Sequence, residues 1–254
     1  MVVLKGSGWG VDKMKNIHKM TPYTPCHFGG RARSRLRAAF AFIRVFMKTN
    51  VYVDAFNLYY GSLKKTPYRW LNLAKLCELL LPHNQIHKIK YFTANVSSRP
   101  SDPDQSTRQQ VYLRALRTIP NLSIVYGHYL SHIVRMPKAH CPTFHQEYVE
   151  VIKTEEKGSD VNIATYLVHD AHLNDFEAAV VVSNDSDLLE PIKLVRSQLG
   201  KKVGILNPHR THPSRVLAAN VDFMKEIRSG VLQASQFPPV LQDQKGQFHK
   251  PSSW

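Results

Sequence analysis

Acids and amides stand at three widely separated points of this chain, each where a predicted strand gives way to a loop or helix. They are Asp54 with Asn57, then Asp160, then Asp185 with Asp187. The first group closes Val51-Tyr52-Val53-Asp54-Ala55-Phe56-Asn57, and the last closes Ala179-Val180-Val181-Val182-Ser183-Asn184-Asp185-Ser186-Asp187. Both runs are β-branched and apolar, as a strand buried on two faces must be, and both end abruptly in carboxylates. In an open α/β sheet, ligands bind outside the carboxyl ends of the strands. Carboxylates gathered there repel one another unless a hard cation lies among them, and an all-oxygen donor set suits Mg²⁺ or Mn²⁺ rather than zinc.

Plainer roles are open to the same residues. Asp185 or Ser186 could simply cap the helix that follows, and Asp160, in Glu155-Glu156-Lys157-Gly158-Ser159-Asp160-Val161, could do the same with Ser159 as a rival cap. Asp54 resists that explanation, because a carboxylate at the end of a buried strand is costly to desolvate without a ligand. Asp170, ten residues along the same predicted helix as Asp160, lies about 15 Å from it at 1.5 Å rise per residue. It is too far away to share a metal and reads as a structural or supporting residue. His140-Cys141-Pro142-Thr143-Phe144-His145, with His132, could be taken for zinc ligands, but lacks the paired spacing of such sites. Tyr59-Tyr60, Tyr68 and Trp70 could stack on bases or lie in the core. Lys64, Lys65, Arg69, Arg99, Arg108, Lys153 and Lys157 stand on predicted loops near the carboxyl-end face, where they could hold phosphates or remain solvated charges.

The elements that must position these residues alternate between strand and helix. Strands are predicted at Val51 to Ala55, Ile86 to Ala94, Leu122 to Tyr129, Ala178 to Ser183 and Lys202 to Leu206, with a last one at Phe223 to Ile227. Helices are predicted from Leu71 to Leu81, from Asp102-Pro103 to Thr118, from Ser159 to His172, from Ser186 to Leu199 and near Ser214 to Ala219. A polar excursion, with an extended piece at Tyr148 to Lys153, fills Leu130 to Lys157. Strands separated by helices imply right-handed crossovers and a three-layer, doubly wound, mainly parallel sheet.

The 254 residues, 43% of them apolar, suffice for one α/β domain with tails but hardly for two domains. A net charge of +15 attracts polyanions, nucleic acid first among them. Residues 1–48 carry +9 of it, with ten Lys or Arg and one acid, Asp12. Residues 1–47 therefore read as a basic extension, disordered or lying upstream of a start at Met47. Residues 48–228 read as the domain, and 229–254, rich in Gln, Ser, Pro and Lys, as a disordered tail. Cys26, Cys77 and Cys141 form neither a disulfide framework nor a paired metal motif, which suits a reducing cytoplasm. The apolar stretch Ala38 to Met47 is interrupted by Arg44 and too short to span a bilayer, so no membrane association is expected.

Three blocks taken in order, Val53-Asp54-Ala55-Phe56-Asn57, Lys157-Gly158-Ser159-Asp160-Val161 and Val182-Ser183-Asn184-Asp185-Ser186-Asp187, resemble the NYN-domain family, the LabA-like branch of the PIN-like ribonuclease superfamily. The resemblance covers roughly residues 48 to 228. It implies a PIN-like fold, Mg²⁺ or Mn²⁺ held by Asp54, Asp160, Asp185 and Asp187, Asn57 as an accessory polar residue, and single-stranded RNA as the substrate. Asn184 departs from the family pattern, which often has Gly there. Because Asn tolerates a left-handed backbone, the turn is expected to survive.

The expected reaction is hydrolysis of an RNA phosphodiester, most simply as an endonuclease, with the metal orienting and acidifying the attacking water. The rival from another class is a non-catalytic RNA-binding or regulatory module on the same fold. A phosphatase with Asp54 as nucleophile is weaker, since it would want a second acid where Phe56 stands.

Overall fold

The structure, a computed structural model, describes residues 46–140, 147–209 and 211–254. β1 (Met47–Asp54) runs into α1 (Ala55–Leu58), which widens into a π turn at Tyr59–Leu63. α2 (Leu73–Leu80) leads to β2 (Asn84–Thr93), and α3 (Gln105–Leu116) to β3 (Leu122–Tyr126). An antiparallel ribbon of β4 (His128–Pro137) and β5 (Tyr148–Lys157) precedes α4 (Ser159–His172) and β6 (Ala178–Val182). A 3-10 turn, Ser186–Leu188, opens α5 (Leu189–Lys193), followed by a π turn over Leu194–Gln198. Then come β7 (Lys202–Asn207), α6 (Arg215–Ala219), β8 (Phe223–Glu226), α7 (Ser229–Ala234) and a hairpin of β9 (Val240–Asp243) and β10 (Gly246–His249).

Six strands form one parallel sheet in the order β3-β2-β1-β6-β7-β8. β1 is central and hydrogen-bonded on both edges, which is why its last six residues are all buried, the polar Thr49, Asn50 and Asp54 among them. Its side chains alternate between two cores. Val51 and Val53 pack with α2 and α3 through Leu73, Leu76, Leu113 and Leu116; Tyr52 packs on the other face with Ile163 and Leu167 of α4 and Ile192 of α5. The result is the expected three-layer α/β fold. The winding reverses between β1 and β6, the crevice where such sheets bind ligands. Asp54 and the loop carrying Asp185 both emerge there.

On the second face Asp170 is buried, accepting a hydrogen bond from the Tyr52 hydroxyl at 2.7 Å and an ion pair from Lys90. It is a structural anchor between α4 and the sheet, as its distance along the helix requires. The excursion before Lys157 is more regular than its polar sequence suggests, because β4 and β5 pair without a slip from His128↔Lys157 to Pro137↔Tyr148.

The C-terminal stretch 229–254 departs from expectation. Its composition predicts disorder, yet it forms α7 and the β9–β10 hairpin. Phe237, Phe248 and Trp254 surround the fully buried Trp70, with ring centroids 5.8, 6.5 and 6.3 Å away. Arg114 of α3 grips Asp243 through two hydrogen bonds of 2.7 and 2.6 Å. Aromatics at such wide spacing carry no hydrophobic period, but each buries a large apolar area on one indole, enough to order a polar segment. The basic stretch expected at 1–47 lies, up to residue 45, outside the described residues, as does Cys141–His145 of the possible zinc cluster.

Candidate functional site

Asp54 is the last residue of β1 and the N-cap of α1. Its Oδ1 accepts from the Asn57 N–H at 2.9 Å, and its Oδ2 from the Ser183 hydroxyl at 3.1 Å. One strand over, Asp185 repeats the device, capping the 3-10 turn by accepting from the Asp187 N–H at 3.0 Å. The Asp185 N–H donates to Ser183 Oγ at 3.1 Å, so a single serine links the two acids. Asn57 Oδ1 accepts from the Asn184 N–H at 3.0 Å and ties the turn after β1 to the turn after β6. Capping, the plainer role, is therefore real for Asp54 and Asp185, but it also holds their carboxylates at the mouth of the crevice.

Asp160 arrives differently. The N-cap of α4 is Gly158, at φ +98°, which has no side chain to cap with, and Glu156 accepts from the first N–H of the helix instead. Glycine alone takes this left-handed conformation without strain. With neither Ser159 nor Asp160 needed as a cap, Asp160 lies in the first turn of α4 on the same cleft as Asp54, Asn57 and Asp185, a cavity of about 250 Å³.

The acids sense one another. Burial, reinforced by the charges of Asp160 and Asp185, pushes Asp54 up to about 6 against the opposing hydrogen bonds from Asn57 and Ser183. Burial also raises Asp160, together with Asp185, Glu156 and Asp187. Asp187 is exposed and outside the cleft wall, but near enough to act on Asp160. Among the described residues no three His, Cys, Asp or Glu side chains stand close enough together to enclose an ion. The acids border a shared cleft; they are not a closed cage. Their chemistry nevertheless fits a hard cation, with carboxylate and amide oxygens, no thiolate, and a mutual repulsion that positive charge relieves. Mg²⁺ in particular retains several waters and needs only one or two direct carboxylates.

The family model for the NYN domain matches residues 48–227, well over half of the chain. The chain belongs to the NYN domain family. A relative, 6-hydroxy-3-succinoylpyridine 3-monooxygenase HspA from Pseudomonas putida (strain DSM 28022 / S16), is 31% identical over 240 residues, covering 82% of this chain and 75% of its own. A crystal structure of a protein of unknown function from Vibrio parahaemolyticus RIMD 2210633 is 16% identical, with a TM-score of 0.48 over 72% of this chain and 94% of that one.

Two residues of this NYN domain that border the cleft escape a reading of the motifs. Glu156, on β5, accepts from the Ser159 N–H at 3.2 Å and its hydroxyl at 2.8 Å, and lines the cleft beside Asp160. It lies in the same block as Asp160, which was the available signal. His209 comes from the loop after β7 and packs on Gly61, where a Cβ would meet its ring at 2.9 Å. Nothing in local sequence points to it. Asn184 also corrects an expectation. Its backbone is not left-handed, since Lys65 and Asn174 alone among described non-glycine residues have positive φ. Instead its side chain donates to the His212 carbonyl at 2.8 Å and accepts from the Ser214 N–H at 2.7 Å, pinning the loop before α6.

The aromatic and basic candidates divide. Trp70 is core, whereas Tyr60 is 56% exposed and borders the cleft. Lys153 and Lys157 are both paired with Glu155 on the ribbon. Lys64, Arg69, Arg99 and Arg108 converge on a neighbouring cavity, while Lys65 does not. No helix among the described residues is long and apolar enough to cross a membrane.

Proposed function

We propose that this NYN protein, of the LabA-like branch, is a cytoplasmic, divalent-metal-dependent ribonuclease acting on single-stranded RNA. One observation carries this reading: Asp54, Asp160 and Asp185 come from three distant parts of the chain to one cleft at the switch point of the sheet. Asp187 acts on the same group.

Asp54, Asp160, Asp185 and Asp187 would hold Mg²⁺ or Mn²⁺, with Asn57 as the accessory amide. Once bound, such a cation acidifies water and stabilises charge on a phosphate undergoing attack. The protein's own part is positional. Ser183 and the Asn57 N–H fix both oxygens of Asp54, and the capping bond fixes one oxygen of Asp185 and leaves the other for a ligand. Asp54 must shed its proton before it can ligate, so activity should rise with pH through about 6. Phe56 and exposed Tyr60 offer ring faces to bases along the cleft. The cations beside it draw the strand in electrostatically. The name of the HspA relative describes that protein's own reaction and is not carried over at 31% identity.

The open spacing of the acids favours a second reading, an RNA-binding module without turnover. Fluorescence anisotropy with labelled RNA, in Mn²⁺ and in EDTA, followed by gel analysis of the same samples, separates the two. A ribonuclease yields shorter products in Mn²⁺ alone. Undiminished binding in EDTA, with intact RNA under every condition, selects the module.

A further inference from the structure

Beside the carboxylate cleft, and sharing Phe56 and Tyr60 with it, lies a second cavity of about 260 Å³ between α1, the end of β2 and α3. Its floor is buried and aromatic. Tyr91 and Tyr112 are 7% and 6% exposed, with ring centroids 6.3 Å apart, and Trp254 closes on Tyr112 at 5.8 Å. Its rim carries Lys64, Arg69, Arg99 and Arg108. Asp102 is the one acid in this lining, and it is paired with Arg108. Lys64 lies over the Tyr60 ring at 4.7 Å, and Arg69 spends only its Nε, on the Thr66 carbonyl. About three positive charges are therefore left without a carboxylate partner among the described residues.

Size and charge together narrow the ligand. At about 260 Å³ the cavity falls just below the roughly 300 to 1,000 Å³ of ordinary ligand pockets, so it admits at most about one nucleotide and not a length of strand. An internal phosphodiester brings one negative charge, whereas a phosphate monoester brings about 1.5 to 2 at neutral pH and presents more oxygens to guanidinium forks. The aromatic walls supply faces for a base. We propose that this cavity binds a nucleoside phosphomonoester, its phosphate held by Lys64, Arg69 and Arg99 and its base set against the tyrosines. On the ribonuclease reading above, that ligand is the phosphorylated end of the strand being cut, so cleavage is registered from that end. Binding of the nucleotide itself does not depend on that reading.

The test is calorimetric titration in EDTA with 5′-AMP, 3′-AMP, adenosine, inorganic phosphate and 6-hydroxy-3-succinoylpyridine. It uses the wild type, Arg99→Ala, Arg69→Gln and Asp185→Asn, each checked for an unchanged melting temperature. Arg99 is exposed and makes no described side-chain hydrogen bond, so its replacement leaves the fold intact. One of the two monophosphates should bind at least about tenfold more tightly than adenosine, and each arginine variant should lose about tenfold. Asp185→Asn should stay within about twofold of wild type, because its carboxylate is outside this cavity. Which monophosphate wins identifies the end. Equal affinity for adenosine, or full affinity in both arginine variants, overturns the proposal. So does tighter binding of 6-hydroxy-3-succinoylpyridine, the anionic heterocycle in the relative's name, than of either nucleotide. Nucleotide binding without any RNA cleavage would leave the pocket standing and remove the ribonuclease. Cleavage that ignores the phosphorylation of either end, with no nucleotide bound, would do the reverse.

Discussion

Asp54→Asn should stabilise the metal-free protein at neutral pH while abolishing its function. Asp54 is 4% exposed, and burial pushes its carboxyl from 3.8 to about 6. A group whose folded value is raised contributes its stability fully below the unfolded value and loses it as pH rises through the folded one. The contribution is therefore intact below pH 3.8 and gone above about pH 7. At about 1.4 kcal/mol per pH unit, the ionised wild type at pH 7.5 carries about 3 kcal/mol of penalty. The amide keeps the acceptor for the Asn57 N–H, but its NH₂ faces Ser183, whose buried hydroxyl loses its acceptor, and that loss offsets part of the gain by about 1 kcal/mol or more. Net relief of about 1 to 2 kcal/mol corresponds to a rise of roughly 2 to 8 °C in melting temperature for a domain of this size. Melting curves in EDTA at pH 5 and pH 7.5 test this, with Mn²⁺ as a further arm. The gain of the variant should shrink sharply at pH 5, and Mn²⁺ should stabilise wild type but not the variant. A variant that is less stable than wild type at pH 7.5, or a difference independent of pH, refutes the claim that Asp54 is held ionised at a cost.

Other substitutions probe the frame around the cleft. Asn184→Ala removes both bridges to His212 and Ser214 and should cost about 1 to 2 kcal/mol in urea unfolding, with RNA cleavage reduced more than RNA binding. Lys90→Met leaves Asp170 buried with only the Tyr52 hydroxyl as partner, and equilibrium unfolding should show a loss of about 3 kcal/mol without any change in metal affinity. Phe248→Ala strips one ring from Trp70 and should cost about 3 kcal/mol with exposure of the indole to fluorescence quenchers, an outcome a disordered tail would not produce.

Some of this architecture was legible because the local physics is strong. β1 and β6 are recognisable from the short apolar runs Val51-Tyr52-Val53 and Ala178–Val182, since the middle of a central parallel strand is buried on both faces. α4 begins and ends at the predicted Ser159 and His172, because an apolar face repeats over fourteen residues. The predicted helix from Ser186 to Leu199 is less regular. Pro191 has no N–H, but it falls in the first turn of α5, where no donor is needed, and a 3-10 turn over Ser186–Leu188 precedes that helix. Asp54 and Asp185 could be named from strand ends, whereas Asp160, at a helix start where capping is the plainer role, joins them through the family resemblance of its block. Their partners are harder to name. Glu156 offers only its place in the Asp160 block as a signal, His209 reaches the cleft through a loop whose return path leaves no local trace, and Ser183 matters only because two turns meet over it. The C-terminal hairpin was missed for a related reason, as its stability resides in three aromatics that find Trp70 across the fold.

The most direct measurement is the cleavage rate of end-labelled single-stranded RNA as Mn²⁺ is titrated, with wild type and Asp185→Asn side by side. Metal-dependent product formation by the wild type, lost on addition of EDTA and reduced at least about a hundredfold in the variant, is the predicted result. Intact RNA at every metal concentration, or equal rates for the two proteins, would contradict a carboxylate-held metal as the agent of cleavage.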